Sequence, residues 1–93
     1  MICNAENKIK GGKLIRIKCE IKEGILNNIK FSGDFFLHPE EKLNELEDLL
    51  QGMKINEIKT NIINFFRKNN VILLGIKEDD FVNIFESAIK ELK

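Results

Sequence analysis

The sequence predicts an α+β domain in which a small antiparallel sheet of two to three strands, built by the N-terminal half, is covered on one face by about three helices from the C-terminal half. Three observations carry this: strict apolar/polar alternation over Lys13 to Lys22, a second β-like run directly after a Gly-containing turn, and helical periodicity from Pro39 onward. With 93 residues the chain is one domain, residues 1–93, and its expected stability is only about 5–14 kcal/mol.

In the first run Ile15, Ile17, Cys19 and Ile21 share one side, and Arg16, Lys18, Glu20 and Lys22 the other, as a half-buried strand requires. Lys22-Glu23-Gly24 supplies a turn, and the following strand is expected to place Ile25, Asn27, Ile29 and Phe31 together against Leu26, Asn28, Lys30 and Ser32. Ahead of this hairpin, residues 1–6 lack periodicity and are expected to fray. Asn7 to Lys10 supply a possible third strand, joined through Gly11-Gly12.

His38-Pro39-Glu40-Glu41 reads as a helix start, since Pro suits the first turn and carboxylates there complement the macrodipole. Leu43, Leu46, Leu49 and Leu50 form its apolar stripe, and Gln51-Gly52 its stop. A second helix is expected after an Asn56 N-cap, with Ile58, Ile62 and Phe65 or Phe66 inward, ending near Asn69-Asn70. A third starts around Glu78-Asp79-Asp80 and carries Phe81, Ile84, Phe85, Ala88, Ile89 and Leu92 inward. Periodicity leaves Val71 to Gly75 open between a strand and a buried connector.

Composition excludes several functions. Fifteen basic and fifteen acidic residues cancel, so the electrostatic excess behind nucleic-acid affinity is missing. Before Pro39 there are 7 basic and 4 acidic residues, so any basic face belongs to the first half. The longest apolar run, Val71 to Leu74, is far too short to span a membrane, and no secretory signal pattern opens the chain; a cytoplasmic location is expected. Cys3 and Cys19, distant in sequence and accompanied by one His, form neither a disulfide framework nor a metal-ligand set. Cys19 is expected to be an inert buried thiol, and Cys3 to sit in a mobile, accessible segment.

Two segments carry chemistry. In Phe31-Ser32-Gly33-Asp34-Phe35-Phe36-Leu37-His38-Pro39, Gly33 lets the backbone leave the strand, and Asp34 is positioned to accept hydrogen bonds from the following turn. Consecutive rings at Phe35 and Phe36 seldom both face inward, which offers one of them as a protein-protein anchor; the plain architectural reading is a plug between sheet and helices. In Lys10-Gly11-Gly12-Lys13, backbone amides and two ammonium groups suit an anion such as a phosphate, although the pattern lacks the spacing and the Ser/Thr of a P-loop and serves equally as a solvated turn. His38 has no nucleophile arranged near it and reads as a helix-start or turn residue. The acidic pairs Glu40-Glu41 and Asp79-Asp80 are explained by helix starts rather than by metal.

The series Lys10-Gly11-Gly12-Lys13-Leu14, the hairpin with Gly24-Ile25, Gly33-Asp34-Phe35-Phe36, and the helix ending Leu49-Leu50-Gln51-Gly52 resembles the C-terminal accessory domain of lipoate-protein ligases, over about Lys8 to Leu92. The domain-only length resembles the small subunit of archaeal split ligases. Lys77 departs from the Ser or Thr expected before the acidic helix start.

The resemblance implies an accessory subunit without catalytic residues of its own, paired with a catalytic large subunit. Together they would convert lipoate and ATP to lipoyl-AMP and pyrophosphate before transfer to a lysine of a lipoyl carrier domain in a 2-oxoacid dehydrogenase or glycine-cleavage protein. ATP, Mg2+ and lipoate are expected on the catalytic subunit and no cofactor on this chain. Lys10, Gly11, Gly12, Lys13, Gly33, Asp34, Phe35, Phe36 and His38 are implied at the partner interface or in support of adenylation. The competing reading is a non-catalytic scaffold or interaction domain of the iron-sulfur scaffold-like fold, whose cysteine cluster this chain lacks.

Overall fold

The structure, a computed structural model, describes residues 1–11 and 13–90. Its elements run β1 (Ile2–Lys8), β2 (Leu14–Lys22), β3 (Ile25–Gly33), β4 (Phe36–His38), α1 (Glu41–Leu50), α2 (Ile55–Lys68), β5 (Ile72–Leu74) and α3 (Glu78–Lys90). β1, β2 and β3 form an antiparallel meander with β2 central, and β4 and β5 form a separate two-stranded antiparallel ribbon. The α+β class agrees with the sequence prediction, with the meander preceding the helices, but β5 falls between α2 and α3; the ribbon settles Val71 to Gly75 as containing a strand.

Alternation makes the meander two-faced. Cys3, Ile15, Ile17, Cys19, Ile21, Leu26, Ile29 and Phe31 are buried, while Asn4, Glu6, Arg16, Lys18, Lys30 and Ser32 face solvent. α3 packs over β1 and β2, α1 lies along β3, and α2 packs against both helices. Phe81 of α3 is the centre of this core, fully buried, with ring centroids of Phe31, Phe66 and Phe35 at 5.1, 5.2 and 5.6 Å. Such edge and tilted contacts match the aromatic quadrupole and add to area burial.

Several expectations are corrected. Residues 2–8 are strand, not frayed, because β1 pairs along its whole length with β2 and buries Cys3 directly opposite Cys19. The two sulfurs lie 2.6 Å apart, and both are free thiols. Cys3 is therefore neither mobile nor accessible; sequence distance says nothing about cross-strand register. In β3 the inward residue is Leu26 rather than Asn27. Glu20 pairs with Asn28 but Ile21 pairs with Leu26, so Asn27 is an extra residue in a bulge that shifts the face by one. The β2–β3 turn has positive φ at both Glu23 (54°) and Gly24 (76°), the type I′ pattern whose twist suits a two-residue hairpin.

On the helices, Leu49 is 43% exposed and Glu47 is buried in its stead, because Glu47 bonds the sheet edge. α2 begins one residue ahead of Asn56, with Lys54 at the N-cap and the Glu57 carboxylate accepting from the Lys54 N–H at 3.3 Å. Phe65 and Phe66 are both buried. His38 is not at the helix start; it closes β4, two residues before the Glu40 cap. α3 runs as predicted, with Leu92 outside the described residues. No helix among the described residues is long and apolar enough to cross a membrane.

Candidate functional site

Two chain segments separated by twenty residues meet at the end of the sheet. Leu14, the first residue of β2, donates its N–H to the Asp34 carboxylate at 2.6 Å, and Asp34 donates its own N–H to the Leu14 carbonyl at 3.3 Å. Asp34 thus serves an amide of the preceding hairpin, not the turn that follows it, which corrects the sequence reading. The pairing is continuous with the β2–β3 ladder, whose last partners are Ile15 and Gly33. Gly33 is indispensable here. Its φ is 153°, and a Cβ at this position would collide with the Leu14 carbonyl oxygen and come within 3.0 Å of the Phe35 ring.

Beyond Leu14 the β1–β2 hairpin closes with the Ile9 N–H donating to the Lys13 carbonyl at 2.6 Å, and Gly11 takes a φ of 105°. Gly12 lies outside the described residues. The stem of Lys13 crosses the face of Gly75, where a Cβ would come within 3.0 Å of Lys13 Cε. The β5–α3 loop is thereby brought against the hairpin tip. The result is an open cleft of about 770 Å³ bordered by Lys8, Lys10, Lys13 and Lys77 against a single carboxylate, Asp80. None of these four lysines is in an ion pair among the described residues. Asp80 is engaged locally, accepting from the Lys77 N–H at 2.8 Å while its own N–H donates to the Lys77 carbonyl at 3.0 Å. This reciprocal arrangement caps α3 without the Ser or Thr that Lys77 replaces. Chemically the cleft gathers ammonium groups that attract an anion, and among its described lining residues there is no Ser, Thr, Cys or His to react with one.

The aromatic pair divides between inside and outside. Phe35 is half-buried against Phe81, whereas Phe36 is 47% exposed on β4 and its ring stacks on His38 at 5.9 Å and 7°. The structure therefore brings Lys10, Gly11 and Lys13 to one cleft, clasps Gly33 and Asp34 to the neighbouring Leu14, and sets Phe36 and His38 on the ribbon. Lys8, Lys77 and Gly75 were missed in the sequence. A glycine shortly before an acidic helix start was the available signal, and nothing local reveals that it meets the hairpin tip.

Cys19 shows how far the sheet interior is removed from such chemistry. Burial, reinforced by the Cys3 thiol against it, drives its pKa far above the ordinary thiol value of 9.0, so it is held protonated. Among the described residues no three His, Cys, Asp or Glu side chains cluster so as to hold a metal ion.

Comparison with known proteins identifies the family of the chain. The family described as the C-terminus of bacterial lipoate protein ligase matches residues 3–85. The chain is 40% identical over 75 residues to lipoate-protein ligase A subunit 2 of Thermoplasma acidophilum, covering 81% of this chain and 78% of that protein. A chain from the solved structure of an archaeal lipoylation system of Thermoplasma acidophilum, comprising a bi-partite lipoate protein ligase and its E2 lipoyl domain, superposes with a TM-score of 0.83 at 34% identity, covering 91% of this chain and 94% of that one. With residues 3–85 matched by the family and 40% identity over 81% of its length to one relative, the chain belongs to the lipoate-protein ligase C-terminal family.

Proposed function

We propose that this chain is the accessory subunit of a two-component lipoate-protein ligase, required with a catalytic subunit for ATP-dependent activation of lipoate to lipoyl-AMP before transfer to a lysine of a lipoyl carrier domain. The observation that carries the proposal is the four-lysine cleft beside the Asp34–Leu14 clasp, in a chain whose relative is one part of a bi-partite ligase. Adenylation concentrates phosphate charge, and fixed ammonium groups offset it in a site closed to water. The subsequent transfer admits a bulky carrier, which a separate cover permits by moving aside. ATP, Mg2+ and lipoate are assigned to the catalytic subunit, and the lysines of this chain contribute potential at its mouth.

The test is lipoate-dependent pyrophosphate release by the catalytic subunit with and without this chain. A gain on adding the chain supports the reading; equal rates reject it. The chain alone is expected to release none.

A further inference from the structure

The two sheets of this protein treat their outward faces oppositely. Outward positions of the large meander are polar throughout β2, with Arg16, Lys18 and Glu20. On the ribbon the alternation sends Leu37 and Leu73 inward and leaves Phe36, His38, Ile72 and Leu74 outward, paired across the strands as Phe36 with Leu74 and His38 with Ile72. Phe36, Ile72 and Leu74 are 47%, 56% and 58% exposed. Half of the six large exposed hydrophobic residues among those described therefore stand on six residues of ribbon. The other three are Met1 and Ile2 at the chain start and Leu49 on α1, so the ribbon carries the largest such group, and a contiguous exposed apolar patch marks an interaction site.

Resting on the accessory-subunit reading, we propose that the outward face of the β4–β5 ribbon, formed by Phe36, His38, Ile72 and Leu74, is the docking surface for the catalytic subunit. The face meets the lysine cleft at one end: its own four residues do not line the cleft, but Leu74 is followed directly by Gly75, which lines it and carries the Lys13 stem. A partner seated on the ribbon is held at the border of the cleft, as a cover over an anionic site requires. Charge selects against a second copy of this chain. The cleft at the Leu74 end of the face carries four lysines to one carboxylate, so a homodimer that overlaps these ends gathers like charges, whereas a partner presenting apolar side chains beside an acidic or phosphate-bearing edge is complementary to both. Four side chains are also well short of the 20–30 residues per side of a stable interface, so the face acts with the neighbouring cleft rather than alone.

The experiment measures binding of the catalytic subunit to wild type and to Ile72→Glu, Leu74→Glu and Leu49→Glu by calorimetry, with thermal unfolding as the check on folding. If Ile72→Glu lowers the unfolding midpoint, Ile72→Thr keeps the β-branched shape and takes its place. Ribbon substitutions are expected to weaken binding roughly tenfold or more, as loss of a central apolar anchor does. Leu49→Glu, at an exposed leucine on α1, is expected to bind as wild type. Wild-type affinity in the folded ribbon variants, or an equal loss in Leu49→Glu, overturns the docking assignment while leaving the accessory-subunit reading intact. Failure of wild type itself to bind rejects both. Concentration-dependent dimerisation of wild type, abolished by Leu74→Glu, reassigns the face to self-association and also overturns it.

Discussion

Glu47 Oε2 accepts a hydrogen bond from the backbone N–H of Phe31 at 2.7 Å, and this contact ties helix α1 to the outer edge of the meander, where Leu26 also bonds Gly52 and Met53 just after the helix. Phe31 belongs to β3, whose outer side has no strand partner, so its amide would otherwise be buried unpaired. The same carboxylate lies 3.9 Å from the Lys30 ammonium, which is largely in water and adds little. Glu47→Ala is expected to cost about 1–3 kcal/mol in urea unfolding. Glu47→Gln, which keeps an acceptor, is expected to recover most of that loss. Equal losses in the two variants would show that packing rather than the hydrogen bond is at stake.

Gly33→Ala is predicted to destabilise by roughly 3 kcal/mol, because the new methyl meets the Leu14 backbone, which has no free rotation to escape it. Asp34→Ala is predicted to be milder, about 1 kcal/mol, since the Leu14 amide it serves is near solvent. A thermal melt that ranks the two in the opposite order contradicts this description of the clasp.

Lys10→Ala is expected to leave stability nearly unchanged, and Lys13→Ala to lower it through loss of the stem packed on Gly75. Lys10→Ala and the stem-preserving Lys13→Met are both expected to lower pyrophosphate release in the two-subunit assay, more steeply at about 20 mM salt than at about 300 mM, where screening has removed most of the long-range attraction. Lys8→Ala and Lys77→Ala extend the series. A salt-independent loss would assign these residues a contact role instead.

The thiol pair makes a prediction in pH. Cys19 has a pKa raised by burial, so the folded state retains a proton that the unfolded chain releases above about pH 9. Stability from this group is complete below that value and is lost as pH rises through the alkaline range, at about 1.4 kcal/mol per pH unit while only the unfolded thiol ionises. Urea midpoints between pH 8 and 10 are expected to fall for wild type and to flatten in Cys19→Ala. Identical slopes would refute the assignment. At neutral pH both thiols are expected to resist alkylation until the protein unfolds.

The amino-acid sequence alone determined the elements whose signal is local. Alternation in Lys13 to Lys22 gave β2 and its buried face, Glu23-Gly24 gave the hairpin turn, and the acidic start with Phe81, Ile84 and Phe85 gave α3, because periodicity and turn chemistry act within a few residues. The strand exit at Gly33-Asp34 was legible as special for the same reason. Only the tertiary structure decided what depends on partners distant in sequence: β1 as a strand, Cys3 against Cys19, the bulge that exchanges Asn27 for Leu26, the buried Glu47, and the ribbon made from Phe36–His38 and Ile72–Leu74. Three-residue strands are too short to show a period, and a glutamate inside an apolar stripe reads as surface until the amide it satisfies is seen. The lysine cleft belongs to the same class, since it exists only because Lys13 crosses Gly75 and so joins two loops that the sequence holds sixty residues apart.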